Sequence, residues 1–245
     1  MTSNLLKTYC KELKLGGVPS VYEQIDFQDR QQYLTAVLGA ELEMRRQNRI
    51  KKLLRKAAFT NLKTLEDFEF TTVTLPETTN IAALTDLLFL EKRENVIMLG
   101  AVGTGKTHLA TALGVKACMQ GKQVRFFRAA DLVNTLLEKH KGGTLARYMR
   151  ELNQCELLIL DEVGFVPFHR DGSDLLFNVI ADCYERSSVI VTSNLEFGQW
   201  TSVFGDSRLT AALVDRLVHH AHILAFTGES YRLRKALSGS KEQSK

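Results

Sequence analysis

The stretch Gly100-Ala101-Val102-Gly103-Thr104-Gly105-Lys106-Thr107 follows an apolar run, Asn95 to Leu99, and opens a helix-like run. Its spacing is glycine, four residues, then glycine-lysine-threonine, the pattern of a phosphate-binding P-loop set between a strand and a helix. Gly100, Gly103 and Gly105 give the backbone conformations closed to other residues, so that successive N–H groups can turn toward phosphate oxygens. Lys106 places a charge on the outer phosphates. Thr107 offers a hydroxyl to the Mg²⁺ that bridges the last two phosphates, and the helix N-terminus adds partial positive charge. Residues 100–107, with His108 on the helix flank, are therefore the candidate ATP-binding residues.

A second motif follows some fifty residues on, where Cys155-Glu-Leu-Leu-Ile-Leu160 reads as a buried strand and ends in Asp161-Glu162. A carboxylate at a strand's C-terminal end can reach the Mg²⁺ shell, which assigns Asp161, with Thr107, to the metal. Glu162 can orient and polarise a water for attack on the γ-phosphate. Two acids here point to hydrolysis rather than simple binding. The run at 123–128 reads as a strand lying between these two motifs in sequence, the layout of the additional-strand ATPases. Ser188 to Ser193 is the next buried strand; Asn194 at its end either holds the attacking water or forms a turn. Leu209 to His219 reads as a helix carrying Asp215-Arg216, and 222–226 as the last strand. Alternating helices and strands imply a parallel sheet. Arg216 and Arg232 are placed by sequence order to bring charge to the γ-phosphate, Arg216 across a subunit boundary, with a surface salt bridge the alternative for each.

Upstream, residues 1–65 read as helices with no catalytic motif. A long helix from Tyr33 to Ala58 ends in a basic run in which Arg45, Arg49, Lys52 and Lys56 share one stripe. Such a run is either a solvated face or a phosphate-backbone contact, and the absence of any acid between Glu43 and Glu66 favours the second. Lys139, Lys141, Arg147 and Arg150, on helical pieces at 131–140 and 144–153, offer another basic surface. Residues 58–76 form a hinge whose Phe68 and Phe70 wall an adenine pocket or serve as plain core. One helix from Thr79 to Leu90 is expected to lead into the P-loop strand, and Trp200 to pack in a loop at 195–204.

With 245 residues and 44% hydrophobic content, the chain can bury the core of one α/β domain plus an appendage. The net charge of +4 is mild. Cys10, Cys118, Cys155 and Cys183 are scattered, without ribbon or disulfide spacing, which suits a reducing cytoplasm. No apolar run approaches a membrane span and the N-terminus lacks a signal core, so a cytoplasmic protein without membrane partners is expected. His219, His220 and His222 have no matching ligand cluster, which argues against a metal there.

Taken together, residues 100–107, Leu158-Ile-Leu-Asp-Glu-Val-Gly164, Val191-Thr-Ser-Asn-Leu195, Ala212-Leu-Val-Asp-Arg-Leu217 and Gly228-Glu-Ser-Tyr-Arg232 resemble the IstB-like ATPases. These are transposase-associated proteins of bacterial insertion sequences, allied to helicase loaders and DnaA-type initiators within the AAA+ group. The resemblance covers about residues 30–235. It implies an AAA+ fold: a five-stranded parallel sheet between helices, after a small all-helical N-terminal module, with the C-terminal lid reduced or absent. The implied domains are 1–65, 66–235 and a flexible tail at 236–245. Gly100 to Thr107 become the Walker A loop, Asp161 and Glu162 the Walker B pair, Asn194 sensor 1 and Arg232 sensor 2. Arg216 becomes the candidate arginine finger, with Arg208 the alternative because His220 stands where initiators often place theirs. The helix at 144–153 becomes the insertion that faces nucleic acid. The implied activity is ATP hydrolysis with Mg²⁺ by a homo-oligomer on duplex DNA that recruits or stimulates a transposase and disassembles on hydrolysis. The alternative is a loader that remodels a replicative helicase ring.

Overall fold

A computed structural model of the chain describes residues 2–27, 29–76 and 79–231, which divide into two compact units, Met1–Lys52 and Leu53–Lys245. The first holds helices α1 (Thr2–Glu12) and α2 (Val18–Val21) and most of α3 (Arg30–Ala57). Cys10, Val18 and Val37 make its small core, with Leu6, Leu15, Tyr22 and Tyr33 packed around them. The buried carboxylate of Glu41 accepts the Gly17 N–H at 2.5 Å and pairs with Arg45 Nε at 2.7 Å. Arg45 Nη2 also donates to the Lys14 carbonyl at 2.6 Å, so this cation is built into the unit.

The second unit takes in residues 53–65, which the sequence reading joined to the N-terminal module. The reason is burial: Leu53, Leu54, Ala57, Phe59 and Leu65 all pack into the same apolar cluster as the sheet. After them come β1 (Val73–Thr74), α4 (Ile81–Thr85), α5 (Leu88–Lys92), β2 (Asn95–Gly100), α6 (Lys106–Met119), β3 (Val124–Arg128), α7 (Ala129–Lys141) and α8 (Leu145–Leu152). The chain continues through β4 (Leu157–Val163), α9 (Arg170–Cys183), β5 (Ser188–Ser193), α10 (Thr201–Phe204), α11 (Ser207–Val218) and β6 (Ala221–Phe226). The single helix expected over 79–90 is two: Leu87 takes a left-handed conformation (φ 65°) to bury its side chain, and that kink ends α4.

The six-stranded sheet has the order β1-β6-β2-β5-β4-β3. The five expected strands run parallel; β1 adds a short antiparallel edge, Val73 opposite Phe226 and Thr74 opposite Ala225. The middles of the central strands β2, β4 and β5 are apolar because both faces are covered. Val96, Met98, Leu157, Ile159 and Ile190 enter the cluster with α6, whereas Ile97, Leu158, Leu160, Val189 and Val191 enter the one built with α7, α9 and α11. That alternation is the two-residue period of a pleated strand. Trp200 is fully buried in the second cluster, and all four cysteines are free and buried. Among the described residues no helix is long and apolar enough to cross a membrane.

Candidate functional site

In sequence it is β3 that separates the P-loop strand from the strand bearing Asp161; in space it is β5. A parallel sheet brings the carboxyl ends of β2, β4 and β5 to one edge, and the charged motifs meet there, as open α/β sheets favour. The end of β2 and the loop after it use positive-φ glycines at 100, 103 and 105 (φ 145°, 82° and 104°). At Gly100 a Cβ would strike the Phe226 carbonyl, so the close approach of β6 also demands glycine.

Lys106 is the first residue of α6 and is buried. Its Nζ donates to the carbonyls of Gly100 (2.6 Å) and Ala101 (2.7 Å), bonds that a phosphate oxygen can replace. Burial lowers its pKa and the nearby Asp161 carboxylate works against that shift. Thr107 Oγ1 donates to Asp161 Oδ1 at 2.9 Å. A hydroxyl and a carboxylate held together next to the P-loop are hard oxygen donors of the kind Mg²⁺ selects, and the pair fits that ion. Both residues line a cavity of about 920 Å³, together with Lys106, His108, Arg128, Glu162 and Tyr231. Its other wall comes from the segment before the sheet. Phe68 packs on the core and also lines the cavity, its ring 5.5 Å from that of His108, whose Nε2 lies 3.0 Å from the Thr64 carbonyl.

Glu162 sits in β4 with a left-handed backbone (φ 60°), a conformation costly for a non-glycine residue. Its carboxylate is 3.7 Å from Arg128 Nε at the end of β3. The sequence reading did not single out Arg128, because a strand-terminal arginine carries no motif; only the pairing of Arg128 with Asp161 across the sheet brings it here.

The family model described as IstB-like ATP binding protein matches residues 8–239. The chain belongs to this family. A protein of insertion sequence IS21 from Pseudomonas aeruginosa, named for ATP binding, is 40% identical over 83% of this chain and 77% of its own length. Its counterpart in insertion sequence IS232 of Bacillus thuringiensis is 32% identical over 97% of this chain and 96% of its own. The fold is that of the AAA+ P-loop ATPases. AMPPCP-bound DnaA from Aquifex aeolicus superposes with a TM-score of 0.54 at 24% identity, over 74% of this chain and 54% of that one.

The remaining candidates of this IstB-like chain lie elsewhere. Asn194 is exposed, one residue past β5, and does not line the cavity; the polar β5 side chain that reaches Asp161 is Thr192. Arg216 stacks its guanidinium 4.4 Å over the Phe177 ring and borders a narrow cleft with Asn95, Glu185 and His220 at the amino ends of the strands. Arg208 is exposed in the first turn of α11. Arg232 lies outside the described residues, directly after Tyr231, whose N–H donates to the Gly103 carbonyl. On α7 and α8, Lys141, Arg147 and Arg150 are exposed and Lys139 is half-buried; Arg147 pairs with Glu151 at 3.2 Å. On α3, Lys52 is exposed, Arg49 has a partner, and Lys56 Nζ donates to Gln123 at 3.3 Å.

Proposed function

We propose that this chain is a Mg²⁺-dependent ATPase that assembles with copies of itself on duplex DNA, recruits or stimulates a partner transposase there, and disassembles on hydrolysis. The observation that carries the reading is the hydrogen bond from Thr107 to Asp161 beside Lys106, with Glu162 facing the same cavity. In this reading Lys106 and the loop N–H groups hold the phosphates, and Thr107 and Asp161 would hold Mg²⁺, which would supply charge neutralisation to the phosphates. Glu162 leaves Arg128, orients a water and accepts its proton as the oxygen attacks the γ-phosphorus and the bond to ADP breaks. Arg216 lies outside its own chain's cavity, which supports a role in a neighbour's site; Arg232 reports the γ-phosphate, whereas Asn194, exposed and outside the cavity, does not reach it. Arg49, Lys52, Lys56 and the α7–α8 cations contact the DNA backbone, Arg45 serving chiefly to hold its own unit together. The domains act as a DNA- and partner-binding N-terminal module and an ATPase, in the cytoplasm, as the four unpaired cysteines suggest.

Imaging Glu162→Gln with duplex DNA and ATP tests this: long-lived assemblies are expected, with phosphate release reduced about 10³-fold, within the range of a lost general base. Unchanged turnover removes Glu162 from the role. Preference for single strands together with a helicase complex would favour the loader instead.

A further inference from the structure

Asp161 and Glu162 are consecutive residues of one strand, and in a regular strand consecutive side chains leave on opposite faces. Here both line one cavity. The ladder between β4 and β5 explains it: Leu160 pairs with Val191, but Val163 pairs with Ser193, so β4 carries one residue more than β5 over this step. Such a bulge re-aims a side chain and interrupts the ladder. The left-handed backbone of Glu162 is the bulge's strained residue. Its N–H, displaced from the ladder, donates instead to the side-chain oxygen of Thr192 at 2.9 Å. The same Thr192 hydroxyl donates to Asp161 Oδ1 at 2.5 Å, the oxygen that also accepts from Thr107. Thr192 is buried, and its hydroxyl is used once as acceptor and once as donor.

We infer that Thr192 is the positioning residue of the two acids: its one hydroxyl holds the Asp161 carboxylate toward the cation site and holds the bulge that swings Glu162 into the same cavity. It touches neither nucleotide nor metal and acts through both acids. This rests on the ATPase reading above and deepens it. A valine has nearly the same shape but offers neither bond, leaving a buried N–H and a buried carboxylate oxygen short of a partner.

The test uses the full chain carrying Thr192→Val, Thr192→Ser and Thr192→Ala, and follows phosphate release as a function of Mg²⁺ concentration, with binding of an ATP analogue measured in chelator. Thr192→Val and Thr192→Ala are expected to lower kcat at least 10-fold and to raise the Mg²⁺ concentration for half-maximal rate about 10-fold. Metal-free nucleotide binding stays within about 2-fold of the parent. Thr192→Ser restores both quantities to within about 3-fold. Serine and alanine differ by one oxygen, so the comparison holds even where the valine variant fails to fold. Equal kcat and equal Mg²⁺ dependence for Ser and Ala overturn the inference. Absence of hydrolysis in the parent protein would overturn the ATPase reading instead.

Discussion

At the carboxyl ends of β2, β4 and β5, Lys106, Thr107, Asp161 and Glu162 face a cavity of about 920 Å³; at the amino ends of the same sheet, the cleft beside Asn95 holds about 10 Å³. Both ends are rich in polar groups. At the amino end most of these groups are spent on one another, although Arg216 Nη1 is buried there without a hydrogen-bond partner. Asn95 donates from its backbone N–H to His220 (2.7 Å) and from Nδ2 to Leu217 (3.0 Å), and accepts the Val189 N–H at 2.9 Å. His222 has both ring nitrogens engaged, by Thr79 at 2.7 Å and Glu94 at 2.9 Å. At the carboxyl end the lysine turns back on loop carbonyls and a glutamate sits in strained backbone. The difference separates two uses of buried polarity: satisfied groups lock strands together, while exchangeable bonds and stored strain leave a site able to take up a charged ligand.

The largest effect that bears on this contrast is expected from Lys106→Ala. Nucleotide binding measured by titration should weaken at least 100-fold, with the unfolding midpoint little changed. A collapse of the fold would show that this end also works as a lock. At the other end, Asn95→Ala should do the reverse. Losing two side-chain hydrogen bonds in a buried place is expected to cost about 2–4 kcal/mol in urea unfolding, while turnover per folded molecule stays within about 2-fold. A turnover loss without destabilisation would blur the distinction.

The locked part of the molecule should also carry an alkaline limit. Burial pushes the Cys155 thiol up to about 12 and the Cys118 thiol to about 11, from an ordinary value of 9.0. The unfolded chain therefore ionises these thiols first. Their contribution is intact below pH 9 and is lost as pH rises from there toward 11 and 12. Urea midpoints measured from pH 8 upward should fall, and replacing both cysteines by alanine should flatten that slope. The smallest effect belongs to the strained residue: Glu162→Asn, better suited to left-handed backbone, should abolish turnover yet raise stability by about 0.5–1 kcal/mol. A destabilised asparagine variant would mean that the Arg128 contact outweighs the strain.

Much of the fold was legible because its signals are local. Glycines at fixed offsets and an apolar run ending in Asp161-Glu162 report backbone preferences of adjacent residues. The five parallel strands followed from those runs. The two-residue β1 was not legible, since Val73 and Thr74 become a strand only by pairing with β6. The boundary at residue 52 rather than 65 was not legible either, because Phe59 and Leu65 look like a junction until the face that buries them is known. In the site, Lys106, Thr107, Asp161 and Glu162 were readable from spacing. Arg128 and Thr192 were not, a strand arginine and a β-branched strand threonine being ordinary residues there.

From the order of its residues alone, the chain had to make a phosphate-binding loop between strand and helix and to end a buried strand in two acids, because those features depend on neighbours in sequence. That β5 would lie between these strands, that Thr192 would bind an aspartate 31 residues away, and that a bulge would turn two consecutive acids into one cavity were decided by tertiary structure. Hydrogen bonds across a sheet depend on strand order and register, and these are set only when both faces of the sheet are buried at once.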